Sequence, residues 1–259
     1  MWFLILYNVR RYYQRGGEPM TIDMQNLLNS ILESFERIEY IKTEDIPNID
    51  LYMDQVTTLM DSRLRKSTRN PGDDKILTKT MINNYTKNDL LPPPIKKKYS
   101  KEHVLLLIFI YYFKGILSIN DIQTLLNPIA ESFFNKGGKF SLEDVYNEVF
   151  SLEEEYVEVL KKDVVEKFER AGETFGEAAQ KDKAFLQQFA FICMLSFDVY
   201  TKKLLIEKMI DGMLAEQQSA QKVSEEKKNA EKKAAEKKAA ERKATEKKVA
   251  EKKAQKEDL

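Results

Sequence analysis

Cysteine and histidine each occur once among the 259 residues, and each scarcity removes a class of chemistry. Cys193 alone, set in the apolar run "FAFICMLSF", allows neither a disulfide framework nor a cysteine-based metal site, and reads as a buried structural thiol. His103 falls in the first turn of an expected helix, with no second histidine for zinc and no partner for acid–base work. No nucleophile–base pair and no glycine-rich phosphate loop can be found either. The sequence therefore predicts no catalytic residue, no metal site and no cofactor, and it does not read as an enzyme. Long hydrophobic runs are also missing. The longest, "VLLLIFIYYF" at 104–113, is far short of the ~20 residues that span a bilayer, so no membrane partner is expected. The N-terminal "WFLIL" lacks the basic flank and small-residue cleavage site of a signal peptide. A reduced, cytoplasmic compartment fits this usage.

Net charge is the last absence, and it hides a distribution. Basic and acidic side chains number 42 each. Residues 61–101 carry 11 basic and 4 acidic side chains, a net of +7. Residues 1–60 stand at −4, residues 102–220 at −8 and residues 221–259 at +5. A basic block inside an acidic chain is what a localised polyanion-binding surface produces, and also what a solvated loop with chance lysines produces.

Periodicity predicts an all-α fold. Leu27, Leu28, Ile31, Leu32, Phe35 and Ile38 recur at helical spacing within 24–40. "IPNID" interrupts the pattern, and Asp50 is placed to cap a second helix through "LYMDQVTTLMDSRL". A third helix is expected from Thr78 as N-cap to about Asn88, where "LLPPP" stops it. A fourth starts at Ser100 and is apolar all round, so it belongs at the centre of a domain. Ser118 with Asp121 resembles a capping box that opens a fifth.

Beyond Lys136-Gly137-Gly138 the character changes. Leu142, Val145, Val149, Leu152, Tyr156 and Val159 alternate in steps of 3 and 4. That spacing suits a dimerisation helix, or an amphipathic helix packing on its own chain. The apolar helix expected over 184–214 needs a partner surface. From about residue 217 "EKKAA" repeats with small variations; alanines at that period form no apolar stripe, so the tail reads as a solvated single helix acting as a spacer or solubilising segment.

The stretch "TKTMINNYTKNDLLPPPIKKKYSKEH", residues 78–103, combines features that a plain loop does not need. On a helical wheel Met81, Ile82 and Tyr85 gather on one side. Thr80, Asn83 and Lys87 lie opposite, flanked by Lys79 and Asn84. This outward face offers hydroxyl, amide and ammonium groups without a carboxylate, the groups that bond base edges and phosphates. Prolines then stiffen the chain before Lys96, Lys97 and Lys98, which would project from a short hairpin along a phosphate backbone, with Tyr99 at its end.

The run "TMINNYTKNDLLPPPIKKKYSKEHVLLLIFIYYFKGILSINDIQTLL" resembles the MerR-type winged helix-turn-helix. "IPNIDLYMDQVTTLM" followed by that run is similar to a bacterial family catalogued as domain of unknown function 1836. The resemblance covers about residues 46–128. In it Tyr85, Leu90, Leu91, Pro92, Pro93, Tyr99 and Ser100 match pattern positions. Asn83 and Asn84 replace the backbone-contacting Arg-Tyr pair of MerR proteins, and Asp89 replaces a glycine.

The resemblance implies a sequence-specific, double-stranded-DNA-binding transcriptional regulator, with a homodimer as the expected assembly. Thr80, Asn83, Asn84 and Lys87 would read the major groove. Lys79, Lys96, Lys97, Lys98 and Lys101 would contact phosphates, giving a salt slope of about −4 to −5 per protomer. The alternative is a protein–protein interaction module that docks an acidic partner on the same basic surface. The expected divisions are residues 1–19, a non-native or disordered extension; 20–45, an N-terminal helix; 46–135, the winged domain; 139–215, a helical dimerisation or sensing region; and 216–259, the charged tail. The expectation for 1–19 rests on "RGGE" before Met20, which a purine-rich run like a ribosome-binding site can encode.

Overall fold

A computed structural model describes residues 24–35, 41–70, 72 and 75–257. The expectation for residues 1–19, and residues 36–40 of the first expected helix, lie outside the described residues. Within them the protein is mostly helical, with one two-stranded sheet. Helix α1 is Met24–Phe35, strand β1 Leu51–Tyr52, α2 Met53–Leu64, α3 Lys79–Lys87 and β2 Lys98–Tyr99. Then follow α4 Lys101–Phe113, α5 Ile119–Phe133, α6 Leu142–Gly172 and α7 Gln180–Glu257. No helix among the described residues is long and apolar enough to cross a membrane. The chain divides into two compact units, residues 1–205 and 206–259. The second is the distal part of α7.

The expected central helix is α4. His103 and every residue from Val104 to Ile110 are buried, so its apolar circumference is matched by neighbours on all sides. Phe109 meets Tyr146 of α6 edge to face with centroids 5.4 Å apart, and Phe150 lies 5.6 Å away. The Tyr146 hydroxyl donates to the carbonyl of Ile41 at 2.7 Å, which satisfies the one polar atom of a fully buried ring. A separate core forms where Leu28 of α1, Val164 and Ala171 of α6 and Phe191 of α7 come together.

Helix starts follow short-range chemistry. Ser118 and Ser141 each accept from the backbone N–H three residues on, at 3.2 Å, while Asp121 and Asp144 accept from the serine N–H in return. The Ser141 hydroxyl and N–H hold the Asp144 carboxyl below its ordinary range. Helix α2 starts later than Asp50, because Leu51 and Tyr52 are taken into β1. Tyr52 is its N-cap, and the Gln55 side chain accepts the Tyr52 N–H at 2.8 Å.

At the start of α4 a histidine occupies the place usually held by Glu or Gln. His103 Nδ1 accepts from the Ser100 N–H at 3.0 Å, leaving Nε2 to donate to the Pro93 carbonyl at 3.4 Å. The ring is also packed edge-on by Tyr99 and Phe134. Burial pushes its pKa down, against smaller opposing contributions from the Pro93 carbonyl and Asp50.

Candidate nucleic-acid interface

Helix α3 is short, and both of its ends are closed by its own sequence. Thr78 Oγ1 accepts from the Met81 N–H at 3.1 Å at the start. At the other end Asp89 takes a left-handed conformation, φ 53°. The Leu90 N–H then reaches back to the Tyr85 carbonyl at 2.9 Å and the Asp89 N–H to Thr86 at 3.3 Å. This is the Schellman pattern, in which glycine is usual and Asp is tolerated. Leu90 and Tyr85, the positions whose apolar side chains such a motif brings together, are both buried. Ile82 and Tyr85 seat the helix, while Lys79, Thr80, Asn83, Asn84 and Lys87 are exposed. The outward face is therefore populated by the expected residues.

Leu90 and Leu91 are buried, and three prolines carry the chain out to a hairpin. Ile95 and Lys98 exchange both backbone hydrogen bonds, at 3.1 and 2.9 Å. Between them Lys96 and Lys97 have φ of 51° and 65°. Two successive left-handed residues make a type I′ turn, where Asn-Gly is the common solution and each non-glycine residue is strained. Both lysines are exposed at the tip. Behind them β2 pairs with β1, Tyr52 opposite Lys98 and Leu51 opposite Tyr99, so the hairpin is fastened to the strand that leads into α2.

Three candidate lysines are engaged within the protein. Lys79 forms an ion pair with Asp54 of α2. Lys98 is half-buried with Nζ 5.3 Å from the centre of the Tyr52 ring, a cation–π geometry. Lys101, with its side chain only 19% exposed, pairs with Glu143 of α6 at 2.8 Å. Lys87, Lys96 and Lys97 are exposed, and among the described residues none of them forms an ion pair. Sequence reasoning missed the partners Asp54, Tyr52 and Glu143. The Lys101–Glu143 pair spans 42 positions, which no local pattern reveals.

The linker between α2 and α3, residues 65–78, is longer than the three- or four-residue turn of a compact helix-turn-helix. It is anchored at its far end, where Lys114 Nζ donates to the Ile76 carbonyl at 2.6 Å and lies 4.7 Å from the Tyr111 ring centre. Among the described residues no group of three or more His, Cys, Asp or Glu side chains could hold a metal ion. No curated protein and no solved structure matches the chain. Residues 41–149, the segment that runs from the carbonyl held by Tyr146 through the start of α6, match the family described as Domain of unknown function (DUF1836).

Proposed function

We propose that residues 41–149 are the double-stranded-DNA-binding module of a cytoplasmic, non-enzymatic transcriptional regulator, with a MerR-like winged helix-turn-helix arrangement. The observation that carries this reading is the exposed set Thr80, Asn83, Asn84 and Lys87 on one side of α3, followed by a hairpin whose two-residue tip is Lys96–Lys97. Amide side chains pair bidentately with adenine N6 and N7, threonine contacts a base or methyl group, and lysine reaches guanine or a phosphate. The strained tip holds two ammonium stems clear of the body, suited to a phosphate backbone beside the groove. As a homodimer, the chain would present two such helices to half-sites about one helical turn apart.

With Lys79, Lys98 and Lys101 already engaged, the phosphate contacts fall to two or three cations. The expected salt slope is then about −2 to −3 per protomer, shallower than five free lysines would give. Selection of bound fragments from random duplex DNA by the full chain tests the reading. Asn83→Ala should change the selected sequence, and K96A/K97A should weaken binding to all sequences and flatten the slope by about 2. Failure to retain any duplex, or retention indifferent to Asn83, would leave the basic surface as a docking site for an acidic protein.

A further inference from the structure

The hairpin that carries Lys96 and Lys97 closes poorly by its own backbone. Ile95 and Lys98 exchange two hydrogen bonds at its neck. Below them the entering stem is Pro92-Pro93-Pro94, which has no N–H to give to a ladder. The leaving stem is held by pairing with β1, whereas among the described residues the entering stem pairs with no strand beyond Ile95. His103 bridges the gap. From the first turn of α4 its ring reaches both stems at once, Nδ1 accepting from the Ser100 N–H at 3.0 Å and Nε2 lying 3.4 Å from the Pro93 carbonyl. The residue is 1% exposed, packed by the Tyr99 and Phe134 rings. A backbone N–H only donates, so Nδ1 must be bare and the ring's proton must sit on Nε2. The Ser100 hydroxyl, 2.8 Å from Nδ1, can turn to suit either state of the ring. The Ser100 N–H cannot.

We propose that His103 is a proton-sensitive clasp on the hairpin: neutral, it ties the two stems together, and protonated at Nδ1 it lets them part and frees the Lys96–Lys97 tip. A proton on Nδ1 sets one donor against another 3.0 Å away, inside a site closed to solvent. Only movement of the ring or of the Ser100 stem relieves that clash, and a buried donor left unpaired is costly.

The surrounding groups leave the ring as the one that titrates. Burial holds its pKa below the ordinary value, against smaller contributions from the Pro93 carbonyl and Asp50. Burial also pushes the Tyr99 phenol up, which keeps it neutral. Lys98 lies over Tyr52, and Lys101 pairs with Glu143 of α6. Glu102 accepts the Asn135 N–H at 2.7 Å, and Lys136 beyond Phe134 is exposed. A released ring takes its proton near 6.5, so the clasp is closed above that pH and opens progressively below it. Control of DNA contact by this clasp rests on the proposed function. The clasp itself does not, and the two readings fail separately.

Nuclear magnetic resonance of the full chain without DNA tests it, with one histidine to follow. Long-range nitrogen–proton spectra at neutral pH should show the proton on Nε2. Hydrogen-exchange protection factors of the Ile95, Lys98 and Ser100 amides should fall about tenfold from pH 7 to pH 5, in step with titration of the ring. The amide of buried Leu107 in α4 should stay better protected throughout, which marks local opening. His103→Gln keeps an acceptor for the Ser100 N–H and should hold the three protection factors level. If that variant does not fold, the wild-type ring and amides decide alone. A proton found on Nδ1, hairpin amides that merely track Leu107, or the same tenfold fall in His103→Gln would overturn the clasp.

Discussion

Two helical stretches of this protein are rich in apolar residues, α4 on every side and α7 between charged positions such as Asp198 and Lys202, and they meet opposite fates. In α4 every residue from His103 to Ile110 is buried. In α7 the stretch Ile192–Leu205 stands mostly open. The contrast teaches that one pattern can mark two different needs. The apolar residues of α4 find their cover within the fold, whereas Phe197, Tyr200 and Leu204 of α7 are left exposed.

The largest test of that contrast is a pair of truncations. Ile108→Ala removes atoms from a site closed on all sides and should cost about 2–5 kcal/mol of unfolding free energy. Phe197→Ala removes a larger side chain, yet in dilute solution it should cost within about 0.5 kcal/mol. Denaturant titrations at low and high protein concentration read both. Equal losses at low concentration would erase the contrast.

Acid provides the next. His103 is the chain's only histidine and lies in the closed region. Its folded pKa is below the unfolded value of 6.5, so the unfolded chain takes up the extra proton as pH falls. Stability from this residue is thus complete above pH 6.5 and is lost progressively below it. His103→Gln keeps an acceptor for the Ser100 N–H and should flatten the dependence just below 6.5. An unchanged profile would place the acid response elsewhere.

The smallest effect concerns the hairpin tip. K96N/K97G supplies the residues a type I′ turn favours and should raise stability by about 1 kcal/mol, most of the left-handed penalty less the added freedom of glycine in the unfolded chain. Thermal unfolding of this variant beside the wild type measures it, and a loss of stability would mean the turn is held by more than its backbone.

How legible this was depends on distance along the chain. The burial of α4 followed from its unbroken run of apolar residues, and the α3 cap at Thr78 followed from one side chain. The heptad seam was harder. Leu142 is buried while Leu152 and Tyr156 are exposed, because spacing shows that a face seeks cover without naming the cover. His103 drew no partner in the sequence reading, although Ser100 three positions earlier is a capping-box spacing. The engagement of Lys79, Lys98 and Lys101 was invisible, since each is held by a residue remote in sequence and set in place only by the tertiary fold.

The bond from Tyr146 to the Ile41 carbonyl has a practical reach. It pins the first residue of the matched segment to the first turns of α6, so entrance and exit of that segment lie side by side. A unit whose ends are adjacent can be excised, permuted or slotted into a surface loop of a foreign host without stretching either chain. Phe150, one residue past the match, still packs on Phe109, so a boundary drawn for such use belongs beyond it on α6.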